Sequence, residues 1–262
     1  MFIYTISISS LIFAIFEFII YSHTTNKIED LIIVTFGGIG DISNGLDIIG
    51  MMLYCSPQLA FIMLMSNYML SDFNISAVVV FTREASKTKW IYKRYFEMFL
   101  YSSLYAGIQF GVVLACGFIR GNSITDAKFL VSIICIEFLL ITMSIFTFTI
   151  ICNTAILKLS KNIVMLGVVF VYLISLSITL AFSNLFNGIL MKVMPIANSM
   201  LRWHSLSYFP NKFSYLETII IGKLSFSWSL CYWLFLTAIT VLIGKLLINN
   251  MDILDIEKGE LN

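Results

Sequence analysis

Apolar runs of about twenty residues recur along this chain, and they restrict its fold more than any other feature. A helix rises about 1.5 Å per residue, so some twenty residues cross the roughly 30 Å hydrocarbon core of a bilayer. Lipid offers the backbone no hydrogen-bond partners, so such runs span the membrane as helices. Six segments qualify: residues 2–21, 50–70, 96–119, 129–151, 163–182 and 224–248. Of the 262 residues, 59% are hydrophobic and 12% charged, against about 25% charged in soluble domains. The sequence therefore predicts an all-α polytopic membrane protein, with residues 1–262 forming one transmembrane domain.

The first run lacks a basic leader and no small-x-small cleavage site follows it, so it is expected to be retained as a span. It carries Glu17, and the fourth span carries Glu137 near its middle. A carboxyl inside a span is costly and must be neutral, paired or wet. Both are candidates for a translocation path; for Glu17 a structural position at the headgroup edge is an equal alternative. In the third span Ser103, Gly107, Gly111 and Ala115 lie four apart on one face. Small residues let helices approach closely in lipid. They are read as a helix-packing face, within the subunit or against a second copy.

The connections differ in character. Residues 23–49 are mainly acidic and include the glycine-rich run Thr35 to Asp41. A phosphate-cradling loop needs Lys followed by Ser or Thr after its last glycine; that pair is missing, so a flexible external turn is expected. Residues 183–223 form the longest connection and contain two apolar pieces, Leu185–Ile196 and Tyr215–Ile221. These are too short to span and read as re-entrant or interfacial helices at the external face. Trp228, Tyr232 and Trp233 at the start of the sixth span are expected in an aromatic belt.

Residues 72–95 are the densest charged stretch. They hold Arg83, Lys87, Lys89, Lys93 and Arg94, five of the sixteen basic residues. Basic residues beside spans are retained on the cytoplasmic side. Both termini then lie inside, with nine basic residues in inner segments and seven in outer ones. The stretch can form a short amphipathic helix on the inner membrane face, with Trp90 and Tyr92 at the headgroups. It is either an orientation signal only or a docking helix for a soluble partner.

The pattern Thr82-Arg83, Ser86, Lys89-Trp90 resembles the coupling helix between the second and third spans of bacterial ABC-2-type transporter permeases, in the small peptide- and antibiotic-export or immunity branch. The six-span layout and the re-entrant pieces before the last span are similar too. The amphipathic elbow helix that many of these permeases carry before the first span is not expected here, since the first apolar run begins at residue 2. The resemblance implies that Thr82, Arg83, Ser86, Lys87, Lys89 and Trp90 couple the chain to a separate cytoplasmic ABC ATPase. It implies a second permease subunit, identical or sister, and a bacterial cell membrane as the location. Cargo would be a hydrophobic or amphipathic peptide, an antibiotic or a lipid-like molecule. The chain has no phosphate-binding loop of its own, so no cofactor is expected in it; ATP and Mg would be bound by the partner. No nucleic-acid partner is expected.

Other chemistries find little support. An intramembrane hydrolase needs a serine–histidine or metal constellation, and no such motif joins His23 or His204. The chain is not expected to be an enzyme, nor to hold a metal. Cys55, Cys116, Cys135, Cys152 and Cys231 form no C-x-x-C pair and read as buried free thiols. A proton-coupled secondary transporter using Glu17 and Glu137, or a non-transporting membrane scaffold, is the alternative.

Overall fold

The computed structural model describes residues 2–23, 25–39, 48–71, 87–181, 192–205 and 224–249. Within them the chain is all-α, with six helices long and apolar enough to cross a membrane. The spans are α1 (Phe2–Tyr21), α3 (Ile48–Met65, continuing past a turn to Ser71), α4 (Lys87–Arg120), α5 (Ala127–Ile156), α6 (Lys161–Ala181) and α8 (Phe226–Asn249). Two shorter helices, α2 (Ile28–Phe36) and α7 (Pro195–Ser199), and a 3-10 turn at Leu201–Trp203 lie between spans. All-α and polytopic is therefore the fold, as its apolar runs predict.

Large apolar side chains point both ways, as lipid demands. In α1 the buried residues are Ile6, Ser10, Ala14 and Glu17, one stripe at helical spacing. Ile8, Ile12, Phe16 and Ile19 are exposed on the opposite side. Without a hydrophobic drive between spans, polar ties and close packing join them. Ser10 Oγ donates to Tyr105 O on α4 at 2.7 Å. Phe36 stacks on Phe110 with ring centres 4.1 Å apart.

The boundaries of the basic stretch change. α4 starts at Lys87 and is 34 residues long, roughly 50 Å against a core of about 30 Å. Residues 87–95, assigned above to the loop, continue the span helix; residues 72–86 lie outside the described residues. The foot of α4 is braced. Arg94 bonds Glu97 at 2.6 Å, Tyr68 Oη donates to the same Glu97 oxygen at 2.6 Å, and Arg94 lies over the Tyr68 and Trp90 rings. At the turn in α3, Asn153 of α5 stands in for a missing helical bond. Its Nδ2 donates to Met65 O at 2.8 Å and its Oδ1 accepts from Met69 N at 3.0 Å.

The other end of the bundle departs further from expectation. Residues 28–36, read as part of an external turn, form a helix of nine residues with eight of them buried. It enters between α4 and α5 and stops at Gly37. Gly38 takes φ +90, and a Cβ there would collide with the Met200 side chain; both reasons favour glycine. Of the two apolar pieces expected before the sixth span, residues 185–191 and Tyr215–Ile221 lie outside the described residues; α7 overlaps only the end of the first piece, and the 3-10 turn falls in the stretch between the two. Trp203 and Trp233 are fully buried. Trp233 is thus core, while Trp228 alone of the three is clearly exposed. Cys55 and Cys152 are buried, but Cys135 and Cys231 face outward.

Gly244 on α8 admits Tyr95, whose hydroxyl occupies the space a Cβ would take. Gly244→Ala should lower stability by about 1–3 kcal/mol through overpacking. Tyr95→Phe in the same chain should recover part of that loss, and Gly111→Ala, with open space around it, should change little. Thermal unfolding in detergent measures all three.

Candidate functional site

Two inserted segments meet above a buried acid. α2 ends with its carbonyls pointing deeper into the bundle, and Arg202 closes that end. Its backbone N–H donates to Gly37 O at 3.0 Å, and its guanidinium reaches Val34 O at 3.5 Å. A cation at a helix C-terminus is favourable, because the last carbonyls carry partial negative charge. Next to it, Trp203 Nε1 donates to Ile39 O at 3.1 Å.

Glu137 lies directly beneath. It sits on α5, roughly 15 Å from the helix start, and is 1% exposed. Neither carboxyl oxygen has a hydrogen-bond partner among the described residues. A Cβ on Gly37 would stand 3.0 Å from Glu137 Oε1 and 3.3 Å from Arg202 Cγ. The Arg202 stem and the Glu137 carboxyl thus both lie against Gly37, and Arg202 is itself partly exposed. The arrangement offers an acid that can hold or release a proton, a cation that can reach solvent, and a cap of inserted backbone between them.

A neutral polar chain borders this acid. Tyr54 Oη and Ser199 Oγ are 2.8 Å apart, Tyr172 Oη donates to Gln58 Oε1 at 2.6 Å, and Gln58 Nε2 donates to Tyr54 O at 3.3 Å. These bonds tie α3, α6 and α7 together in the middle of the bundle. At the rim, Glu29 Oε1 accepts from Thr125 N and Asp126 N at 2.7 and 2.9 Å and fixes the turn before α5. Asp30 beside it is pushed above the usual carboxylate range by burial, against the pull of Lys27.

The second acid predicted for the path sits elsewhere. Glu17 is 2% exposed, on the stripe of α1 that packs against α4. Its Oε2 has no partner among the described residues, nor does the Nε2 of Gln109. Glu17 is thus a buried position rather than one at the headgroup edge, and its surroundings are spans α1 and α4 rather than the inserted segments around Glu137.

The residues expected to couple to an ATPase divide. Thr82, Arg83 and Ser86 lie outside the described residues. Lys87 and Lys89 are on the first turn of α4, with Lys89 exposed. Trp90 is 2% exposed and packs in one cluster with Ile91, Tyr95 and Ile248; it holds the foot of the bundle and is not at a headgroup surface. Tyr92, expected beside it, is exposed. The small-residue ladder is displaced from the core: Gly107, Gly111 and Ala115 are exposed and Ser103 half-buried. A Cβ on Gly107 would stand 3.9 Å from Phe138 of α5, whereas one on Gly111 would meet nothing.

No family model, curated protein or solved structure matches this chain.

Sequence reading missed Glu29, Asn153 and the Gly37–Arg202 contact. Asn153 could have been found as a lone amide inside an apolar run, where an unpaired polar group is expensive. Arg202 carries no local signal, because its partner lies 165 residues away in Gly37.

Arg202→Ala should destabilise the protein, because it leaves a buried carboxyl without its cation. The loss should be smaller by about 1 kcal/mol or more when Glu137 is already Gln. A double-mutant cycle by thermal unfolding reads this coupling; additive losses would show that Arg202 does not serve Glu137.

Proposed function

We propose that this chain is the membrane subunit of an ATP-driven exporter of the ABC-2 permease type. Its cargo would be a hydrophobic or amphipathic peptide, an antibiotic or a lipid-like molecule. The observation that carries the reading is the layout. A braced basic foot follows the second span, and short inserted elements at the opposite end precede the sixth. Residues 72–86, with Thr82, Arg83 and Ser86, run between Ser71 and Lys87. Tyr68 to Glu97 joins α3 to α4, and Asn153 to Met65 and Met69 joins α3 to α5, so a push on that segment would move the three helices together. Coupling through a docked helix needs such stiffness, since a loose foot would absorb the stroke.

In this reading the soluble ATPase binds ATP and Mg and presses on Arg83, Lys87 and Lys89. Trp90 acts from within, by fixing the helix on which the lysines stand. A second permease copy or sister chain completes the path, and the outward small-residue face around Gly107 and Gly111 is free to receive it. The inserted segments close the outer end. The membrane is the bacterial cell membrane, with both termini inside.

One observation favours a second reading. Glu137 and Glu17 are both buried, and among the described residues both oxygens of Glu137 and Oε2 of Glu17 have no hydrogen-bond partner, as a proton-coupled carrier would require. Such a carrier needs no ATPase, so the same experiment separates the two.

Arg83→Ala with Lys89→Ala should weaken ATPase pull-down by about tenfold or more while leaving the melting temperature of the permease unchanged. Trp90→Ala should instead cost about 3–5 kcal/mol of stability. Full partner binding and full cargo-stimulated ATP turnover in the double variant would remove the docking role of this stretch. Orientation has its own check. In a chain without native cysteines, Ser123→Cys should react with an impermeant thiol reagent added to intact cells, and Lys89→Cys should react only after permeabilisation.

A further inference from the structure

The inserted segment before α8 contains a run of hydrogen bonds that does not close with neutral side chains. His204 is fully buried. Its Nδ1 lies 2.9 Å from Met200 O, and its Nε2 lies 2.7 Å from Ser229 Oγ on α8. Ser229 Oγ lies 2.7 Å from Asn198 Oδ1. Three contacts at hydrogen-bond distance need three hydrogens. A neutral imidazole brings one and the serine hydroxyl brings one.

The amide cannot supply the third. Asn198 Nδ2 already donates to Met194 O at 2.8 Å and Lys192 O at 3.0 Å. Turning the amide over would set its oxygen against both carbonyls. Met200 O has no hydrogen to give, so Nδ1 must carry one. If Ser229 then donates to Nε2, two oxygens face each other at 2.7 Å with nothing between them. If it donates to Asn198, the Nε2 lone pair faces the Ser229 oxygen. Only the doubly protonated ring closes the chain: Nδ1–H to Met200 O, Nε2–H to Ser229 Oγ, and Ser229 O–H to Asn198 Oδ1.

We propose that His204 is a proton-binding site, and that its doubly protonated ring pins the inserted segment from Asn198 to His204 onto the sixth span. The proposal stands apart from the transport reading, since it requires only this segment and α8. Arg202 and Trp203 belong to the same turn, so the bound proton also steadies the groups that cap α2 above Glu137.

Charged neighbours do not account for the site. Lys192 lies over the Trp228 ring at 5.8 Å. Arg202 and Glu137 are on the Gly37 side of the turn. On α8, Tyr232 gives its hydroxyl to Val193 O and Cys231 faces outward. On α6, which packs against α7, Tyr172 is bonded to Gln58; on α2, Glu29 holds the turn before α5 and Asp30 lies beside Lys27. Burial pushes the imidazole down to about 4, with the carbonyls of Met200 and Leu201 pulling the other way. The hydroxyl of Ser229, short of one hydrogen, adds to that upward pull. The third hydrogen is therefore in place below the titration midpoint and missing above it.

The chain has two histidines, which makes the test direct. The full-length protein in lipid nanodiscs, labelled with ring-15N histidine and carrying His23→Asn, gives one imidazole signal. We expect a titration midpoint above 4, with both ring nitrogens protonated on the acid side. Ser229→Ala should lower the midpoint by about 1–2 pH units, the worth of a hydrogen bond to a charged donor. Ser229→Thr, which keeps the hydroxyl, should restore it. A ring with one protonated nitrogen at every pH at which the protein stays folded would overturn the proposal. So would an unchanged midpoint in Ser229→Ala. If Ser229→Ala does not fold, the wild-type spectra decide alone.

Discussion

Backbone that is not helical has to find its hydrogen-bond partners inside the protein once it sinks to membrane depth. The end of this bundle that carries α2 and α7 depends on that requirement. Two segments far apart in sequence enter it, and each satisfies the other. Arg202 N–H reaches Gly37 O, Trp203 Nε1 reaches Ile39 O, and Leu224 N–H reaches Trp203 O at 2.9 Å. Removing either segment would leave the other with orphaned polar groups in an apolar interior, at a cost of several kcal/mol each in lipid. The buried acid below them is held in place by the same joint, because Gly37 lies against both Glu137 and the Arg202 stem.

The opposite end is governed by stiffness rather than by insertion. Asn153 repairs the helix break between Met65 and Met69, while Arg94 and Tyr68 converge on Glu97. Trp90 and Tyr95 fill the space against α8, the latter over Gly244. Arg94 is thereby engaged within the fold, and the exposed basic residues described at this end are Lys89, Lys93, Lys158 and Lys161. The foot of α4 thus combines internal bracing with exposed basic charge within a few turns.

Between these ends the spans are joined by sparse polar ties. Ser10 to Tyr105, Tyr54 to Ser199, Tyr172 to Gln58 and Thr147 to Thr237 at 2.7 Å are all side-chain contacts across helices. Each is modest alone in a membrane setting, about 0.6 kcal/mol on average. Their value lies in register, since a span that slides by one turn loses its partner. The small-residue ladder on α4, by contrast, is mostly exposed among the described residues, with Gly107 alone of its two glycines against a neighbouring side chain, Phe138.

The sequence by itself determined the number of spans and the all-α class, because a twenty-residue apolar run has no other stable form in lipid. The short elements before the sixth span were legible only in part, since α7 and the 3-10 turn fall mainly between the two apolar pieces that the sequence marks. The sequence also marked Glu137 and Glu17 as buried carboxyls worth attention, because a charge inside an apolar run stands out on composition alone. The tertiary structure decided what surrounds them. Residues 28–36 carry two adjacent acids, Glu29 and Asp30, before an apolar run and read as part of an external loop; only the space between α4 and α5 makes them an inserted helix. Trp90 and Trp233 have the amphipathic chemistry of an interface, and only their neighbours place them in the core. Arg202 and His204 read as polar residues in a connection, yet Gly37 and Ser229 give them their roles. Each of these depends on a partner distant along the chain, and hydrophobic period, length and charge report only on neighbours within a few turns.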